Sequence, residues 1–139
     1  MSTSRQRARA DTILVVDDFE DAREMLAEYL RFRGYRVIEA SSGAEAVTLA
    51  RELKPRVVLM DLTMPELDGW KATRILKSDP ATKGIVVIAV TANALSLDEA
   101  RARNAGCDGY IPKPYDLKQL AGVVDRALRS ANRRGQTQA

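Results

Sequence analysis

The sequence predicts a single α/β domain in which parallel strands alternate with helices. Three observations carry this. The runs TILVV, VVLM and IVVIAV are nearly continuous in apolar residues, the character of parallel strands covered on both faces. Amphipathic stretches with helical spacing separate them. The chain has 139 residues, room for one hydrophobic core and little more. Five β-α steps then build a three-layer sandwich through right-handed crossovers.

The elements follow in order. TILVVDD is a β-branched strand ending in acid. Ala22, Met25, Leu26, Tyr29 and Leu30 recur at helical spacing, and Gly34 is a helix stop. YRVIEA is the second strand. Ser42 and Glu45 form a capping-box pattern ahead of a helix ending near Leu53. RVVLMD, after Pro55, is the third strand. The loop LTMPELDG leads to a helix from about Trp70 to Lys77. GIVVIAVTA is the fourth strand. Ser96 and Glu99 form a second capping-box pattern, and Gly106 closes that helix. GYIPKP is a short fifth strand and loop. Asp116 caps a last helix reaching about Ala131. Residues 1–10 read as a basic flexible tail, 11–131 as the domain and 132–139 as a polar tail.

Composition removes several classes. Apolar residues make up 45% and charged residues 29%, which is ordinary for a globular domain. No apolar run approaches a membrane span, and MSTSRQRARAD lacks the apolar core of a secretory signal. Membrane insertion is therefore not expected. The lone Cys107 allows no internal disulfide, which fits a reducing, cytoplasmic setting. There are no histidines, which excludes histidine triads, histidine zinc sites and a phosphohistidine carried on this chain. The net charge is +3, but Arg5, Arg7, Arg9, Arg129, Arg133 and Arg134 place the excess in the ends. The body is net acidic, so specific nucleic-acid binding is not expected.

In a sheet of this kind, function lies outside the carboxyl ends of the strands. The first strand ends in Asp17 and Asp18, the third in Asp61 and the fourth in Thr91. The fifth is followed by Lys113 and Pro114. Each residue alone is ordinary: an aspartate at a strand end is commonly a turn former or a cap. Thr91 alone is strand filler, Lys113 a surface lysine, and Thr63 and Asn93 loop residues. The conjunction carries the weight, because four strands deliver polar groups to one rim. Three clustered carboxylates must hold protons or bind a cation. Oxygen ligands favour magnesium. A metal, an ammonium and a spare carboxylate suit in-line phosphoryl transfer to an aspartate.

The segments VVDDFED, VVLMDLTMPELDG, VVIAVTANA and GYIPKPYD resemble the receiver domain of two-component response regulators, the CheY-like family, over about residues 12–130. The resemblance implies a flavodoxin-like (βα)5 fold with strand order 2-1-3-4-5. It implies that Asp61 accepts the phosphoryl group. Asp18 and Asp61 would ligate Mg2+ directly, with the backbone carbonyl of Thr63, and Asp17 would act largely through metal-bound water. Lys113 would bind a phosphoryl oxygen, and a cis Lys113–Pro114 bond would help aim it. Thr91 would bond another oxygen and move inward, and Tyr110 would be the aromatic switch. Thr63 and Asn93 fall where the family varies. The implied partners are a histidine kinase or histidine phosphotransfer protein upstream. Downstream, a protein target would read the face of the fourth helix, fifth strand and last helix. Chemistry would be limited to self-catalysed phosphoryl acceptance and autodephosphorylation.

The short segment after Asp116 reads as a free-standing receiver, although VTANA and AGCDGYIPKP also resemble receivers of hybrid kinases. Three rival readings fit less well. A dehalogenase-like phosphatase places its nucleophile and acid two apart on the first strand, whereas Asp17 and Asp18 are adjacent. A flavin or nucleotide module needs a Gly/Ser/Thr phosphate loop, and VVDDFED is acidic there. A purely structural dimerisation module has no use for Asp17, Asp18, Asp61, Thr91 and Lys113 together.

Overall fold

The β-branched runs form five strands, β1 (Thr12–Val16), β2 (Arg36–Ala40), β3 (Val57–Asp61), β4 (Val86–Thr91) and β5 (Gly109–Pro112). They alternate with α1 (Glu20–Phe32), α2 (Gly43–Leu53), α3 (Asp68–Ser78), α4 (Ser96–Ala105) and α5 (Leu117–Thr137). A short 3-10 turn, Pro65–Leu67, precedes α3. The computed structural model describes residues 12–92 and 96–137. Asn93, Leu95, the side chains of Ser96 and Leu97, and the N-terminal arginines lie outside the described residues. Every strand pair is parallel and the order is β2-β1-β3-β4-β5. The fold is the expected flavodoxin-like three-layer sandwich.

Strand alternation splits the core into two layers. Leu14, Val16, Val58, Met60, Val87 and Ala89 face α2, α3 and α4. Ile13, Val15, Val57, Leu59, Ile88 and Ile111 face α1 and α5. β1, β3 and β4 are buried along their whole length. Burying one such side chain contributes about 1.5–3 kcal/mol, so the strands are held in register and their carboxyl ends are aligned. No helix among the described residues is long and apolar enough to cross a membrane.

The punctuation largely follows the sequence. Gly34 and Gly106 take positive φ, 99° and 107°, just past α1 and α4, where only glycine avoids strain. Asp116 caps α5 by accepting from the Lys118 N–H at 2.7 Å. The Ser42–Glu45 box is only half made. The Glu45 N–H donates to Ser42 Oγ at 3.1 Å, but the Glu45 carboxylate meets Ser41 Oγ instead. α5 runs to Thr137 rather than ending near Ala131. No proline interrupts that segment, and Gly135 alone costs about 1 kcal/mol in a helix.

One close approach aligns the functional edge. A Cβ on Gly69 would overlap the Asp61 backbone carbonyl oxygen, so the missing side chain lets α3 start directly against the end of β3. Gly69→Ala is therefore expected to destabilise the fold by about 1–3 kcal/mol. Gly84 has open space around its Cβ position, and Gly84→Ala should stay within about 0.5 kcal/mol of wild type. Urea unfolding of both variants checks this, and equal midpoints would contradict it.

Candidate phosphoacceptor and metal site

β1 and β3 are neighbours, with Val16 opposite Met60, so the residues that follow meet at one rim. Asp17, Asp18 and Asp61 each present a carboxylate oxygen there, all within 4.8 Å of one another. Asp61 is 3% exposed and Asp17 8%, while Asp18 is exposed. Lys113 reaches Asp61 Oδ2 at 3.2 Å. Its approach is set by the backbone: the Lys113 N–H donates to the Thr91 carbonyl at 2.6 Å, and the Lys113–Pro114 bond is cis. Thr91 ends β4 opposite Pro112 and is buried.

Asp61 Oδ1 accepts from the Thr63 N–H at 2.8 Å and from the Thr63 hydroxyl at 2.5 Å. Thr63, on sequence grounds an ordinary loop residue, thus orients the central carboxylate through its side chain and N–H. Asp17 Oδ1 accepts from the Phe19 N–H at 2.9 Å. Arg23 bonds the Asp17 carbonyl at 3.0 Å and Glu39 at 3.2 Å, which ties the β1–α1 turn to β2. Asp68 Oδ2 accepts from the Gly43 N–H at 2.5 Å, joining the starts of α2 and α3. Neither Arg23 nor Asp68 carries a local sequence signal, since each acts on a residue far away in the chain. Tyr110 is not at the rim. It lies opposite Ala89, half-buried against the layer of α2, α3 and α4.

Burial, and after it crowded negative charge, set the electrostatics. Burial first, and then the Asp61 carboxylate, raise the Asp17 carboxyl from 3.8 to about 6. Burial, and then Asp17 and Asp61, also push the Tyr115 phenol up. Three hard oxygen donors, one of them costly to ionise in place, are a donor set that suits a small divalent cation such as magnesium. Cys107 is buried, and burial pushes its thiol up to about 11, which leaves it unreactive.

The raised Asp17 value fixes a sign. The folded chain binds this proton more tightly than the unfolded chain, so ionising Asp17 lowers stability. The penalty is absent below about pH 3.8 and complete above about pH 6. In EDTA at pH 7.5, Asp17→Asn should stabilise the protein by about 1–2 kcal/mol. The gain should shrink as pH falls from 6 towards 4. Thermal melts across that range check it, and a destabilised variant at pH 7.5 would contradict it.

Comparison with known proteins places this geometry. Residues 13–125 match the response regulator receiver domain family. The polar-differentiation response regulator DivK of Brucella ovis is 38% identical over 120 residues, covering 86% of this chain and 98% of that protein. The receiver domain of a sensor histidine kinase from Pseudomonas aeruginosa, solved with a magnesium ion coordinated in its active-site cleft, aligns with TM-score 0.78 and 33% identity. That alignment covers 85% of this chain and 97% of the other. A CheY-like receiver from Methanospirillum hungatei aligns with TM-score 0.82 and 25% identity over 89% and 98%. The protein is a two-component response regulator receiver domain of the CheY-like family, a signal receiver rather than a classical enzyme.

Proposed function

We propose that Asp61 is the phosphoacceptor of a phosphorelay. It receives its phosphoryl group from the phosphohistidine of a histidine kinase or histidine phosphotransfer protein. The observation that carries this is a buried carboxylate held by Thr63 on one oxygen and by Lys113 on the other, beside two more acids. An Asp61 oxygen attacks phosphorus in line, the phosphorus–nitrogen bond breaks, and the electron pair leaves with the imidazole. Lys113 then releases the carboxylate and neutralises a phosphoryl oxygen. Asp18 and Asp61, with the Thr63 carbonyl, would hold Mg2+, and Asp17 would contact it mainly through water. When bound, the ion supplies charge neutralisation to the phosphoryl oxygens. Water attack on phosphorus reverses the modification.

The surface beside the rim supports a protein donor. Phe19, directly after the acid pair, is 63% exposed. Met25 and Phe32, seven residues apart on one face of α1, are also exposed. An exposed ring next to a reactive group, as Phe19 is, marks a contact surface.

The output reading concerns α4, β5 and α5. A phosphoryl group on Asp61 offers the buried Thr91 hydroxyl a charge-assisted hydrogen bond. Inward movement of Thr91 opens room along β4, and the half-buried Tyr110 ring moves further in. The face presented to a downstream protein partner changes with it. A bias of about 1–3 kcal/mol between two states shifts partner affinity about 5- to 150-fold.

Acetyl phosphate should label the wild type only with a divalent cation, and Asp61→Asn should remove the label. Mass mapping of the acyl phosphate checks this, and labelling that survives both EDTA and Asp61→Asn would sink the assignment. Lys113→Ala should signal poorly, and Lys113→Arg should not fully restore it, since a planar fork differs from a point charge. For the switch, Thr91→Ala should still be labelled, but with the chemical-shift changes over residues 99–103 and 110–125 largely lost. Tyr110→Ala should alter partner affinity with less effect on labelling. Shifts confined to the Asp61 rim in the phosphorylated wild type would contradict the switch.

A further inference from the structure

The outer face of α1 and α5 carries two opposed stripes of charge. On α1, Glu20, Glu24 and Glu28 are exposed and recur every fourth residue, a spacing at which like charges repel. The Glu20 carboxylate, ahead of burial, raises the Glu24 carboxyl. On α5, Lys118, Arg126 and Arg129 are exposed. None of these six makes an ion pair among the described residues. Asp125, the one acid of α5, is taken by Arg33 at 3.2 Å. That bond ties the end of α1 to the middle of α5. Both helices cover the same core layer, and each follows a strand of the parallel sheet, so the stripes run side by side in one direction. Met25 and Phe32 are 60% and 88% exposed on α1. Phe32 ends that helix, about 18 Å past Glu20, so a donor docking beside Phe19 does not account for it.

We propose that this face docks a second copy of the chain, forming a two-fold dimer in which α1 of each protomer lies on α5 of the other. A two-fold axis along the helices, between α1 and α5, does this and closes the assembly. The acidic stripe of each copy then meets the basic stripe of its partner. The lengths agree, since Glu20 to Glu28 and Lys118 to Arg126 each span about 12 Å. Near the axis, Met25 and Phe32 supply the apolar centre that a protein contact needs. The α5 face is open there, because a Cβ on Gly122 would meet only the Arg126 side chain, at 3.8 Å. A partner or nucleic acid of one charge sign would match one stripe and be repelled by the other, whereas a second copy matches both. The whole chain carries only +3, so two copies repel weakly at long range. This surface does not rest on the phosphoacceptor reading.

Sedimentation velocity of the full chain at low salt, from about 1 to about 500 μM, reads the assembly. A dimer that grows with concentration and weakens with added salt is expected, with amide shifts changing over residues 20–32 and 117–130. Glu24→Lys with Glu28→Lys makes both stripes basic, and Lys118→Glu with Arg126→Glu makes both acidic. Each variant should be monomeric alone, and the two should dimerise when mixed, because each offers the stripe that the other lost. Phe32→Ala, in the wild type and in both members of the mixture, should weaken association at least about tenfold. All these positions are exposed, and unchanged amide shifts in β1 and β3 report that the variants are folded. A monomer throughout the range would overturn the proposal, as would oligomers beyond the dimer or shifts mapping to another face. So would a dimer that persists in either charge-reversed variant alone, no association on mixing, or association that Phe32→Ala leaves unchanged.

Discussion

Three carboxylates share the rim with one ammonium, and much of the structure around them answers to that imbalance. Asp61 is almost fully buried, yet it faces Asp17 and Asp18 within 4.8 Å. Lys113 at 3.2 Å compensates one charge only. In a partly desolvated site such repulsion is strong; burial first, and the Asp61 carboxylate after it, raise the Asp17 carboxyl to about 6. A rim of this kind attracts cations and then anions that bring cations with them.

The fold holds this costly arrangement in place by making everything behind it rigid. β1, β3 and β4 are covered on both faces, so their ends cannot drift apart to relieve the repulsion. Gly69 lets α3 lie against the Asp61 carbonyl. The Asp68–Gly43 bond and the Arg23 bridge to the Asp17 carbonyl and Glu39 brace the neighbouring turns. The repulsion is therefore met by the raised Asp17 carboxyl and by Lys113 rather than by backbone movement. Thr91 and Tyr110 lie along β4 and β5, where a change at the rim meets a second packed layer.

Much of this was legible in the chain. Continuous β-branched runs identify buried parallel strands whichever neighbours they find, and the acids at their ends then fall on one edge by topology alone. Asp17, Asp18, Asp61 and Lys113 were readable for that reason. Thr63 was undervalued, because the bonds from its hydroxyl and N–H to Asp61 depend on how the loop after β3 folds back. Gly69 and Asp68 resembled turn residues, and their packing against Asp61 and Gly43 exists only in three dimensions. The extent of α5 was missed because a polar helix lacks the apolar period that marks the others.

The central claim is that the uncompensated charge at the rim is met by a divalent cation. Thermal unfolding at pH 8 with and without millimolar magnesium, at constant ionic strength, tests it most directly. A ligand at about ten times its dissociation constant stabilises the folded state by about 1.4 kcal/mol, which moves the midpoint by several degrees in a domain of this size. The expected result is that upward shift in the wild type and its loss in Asp18→Asn. No shift with magnesium, or an equal shift in Asp18→Asn, would contradict the account.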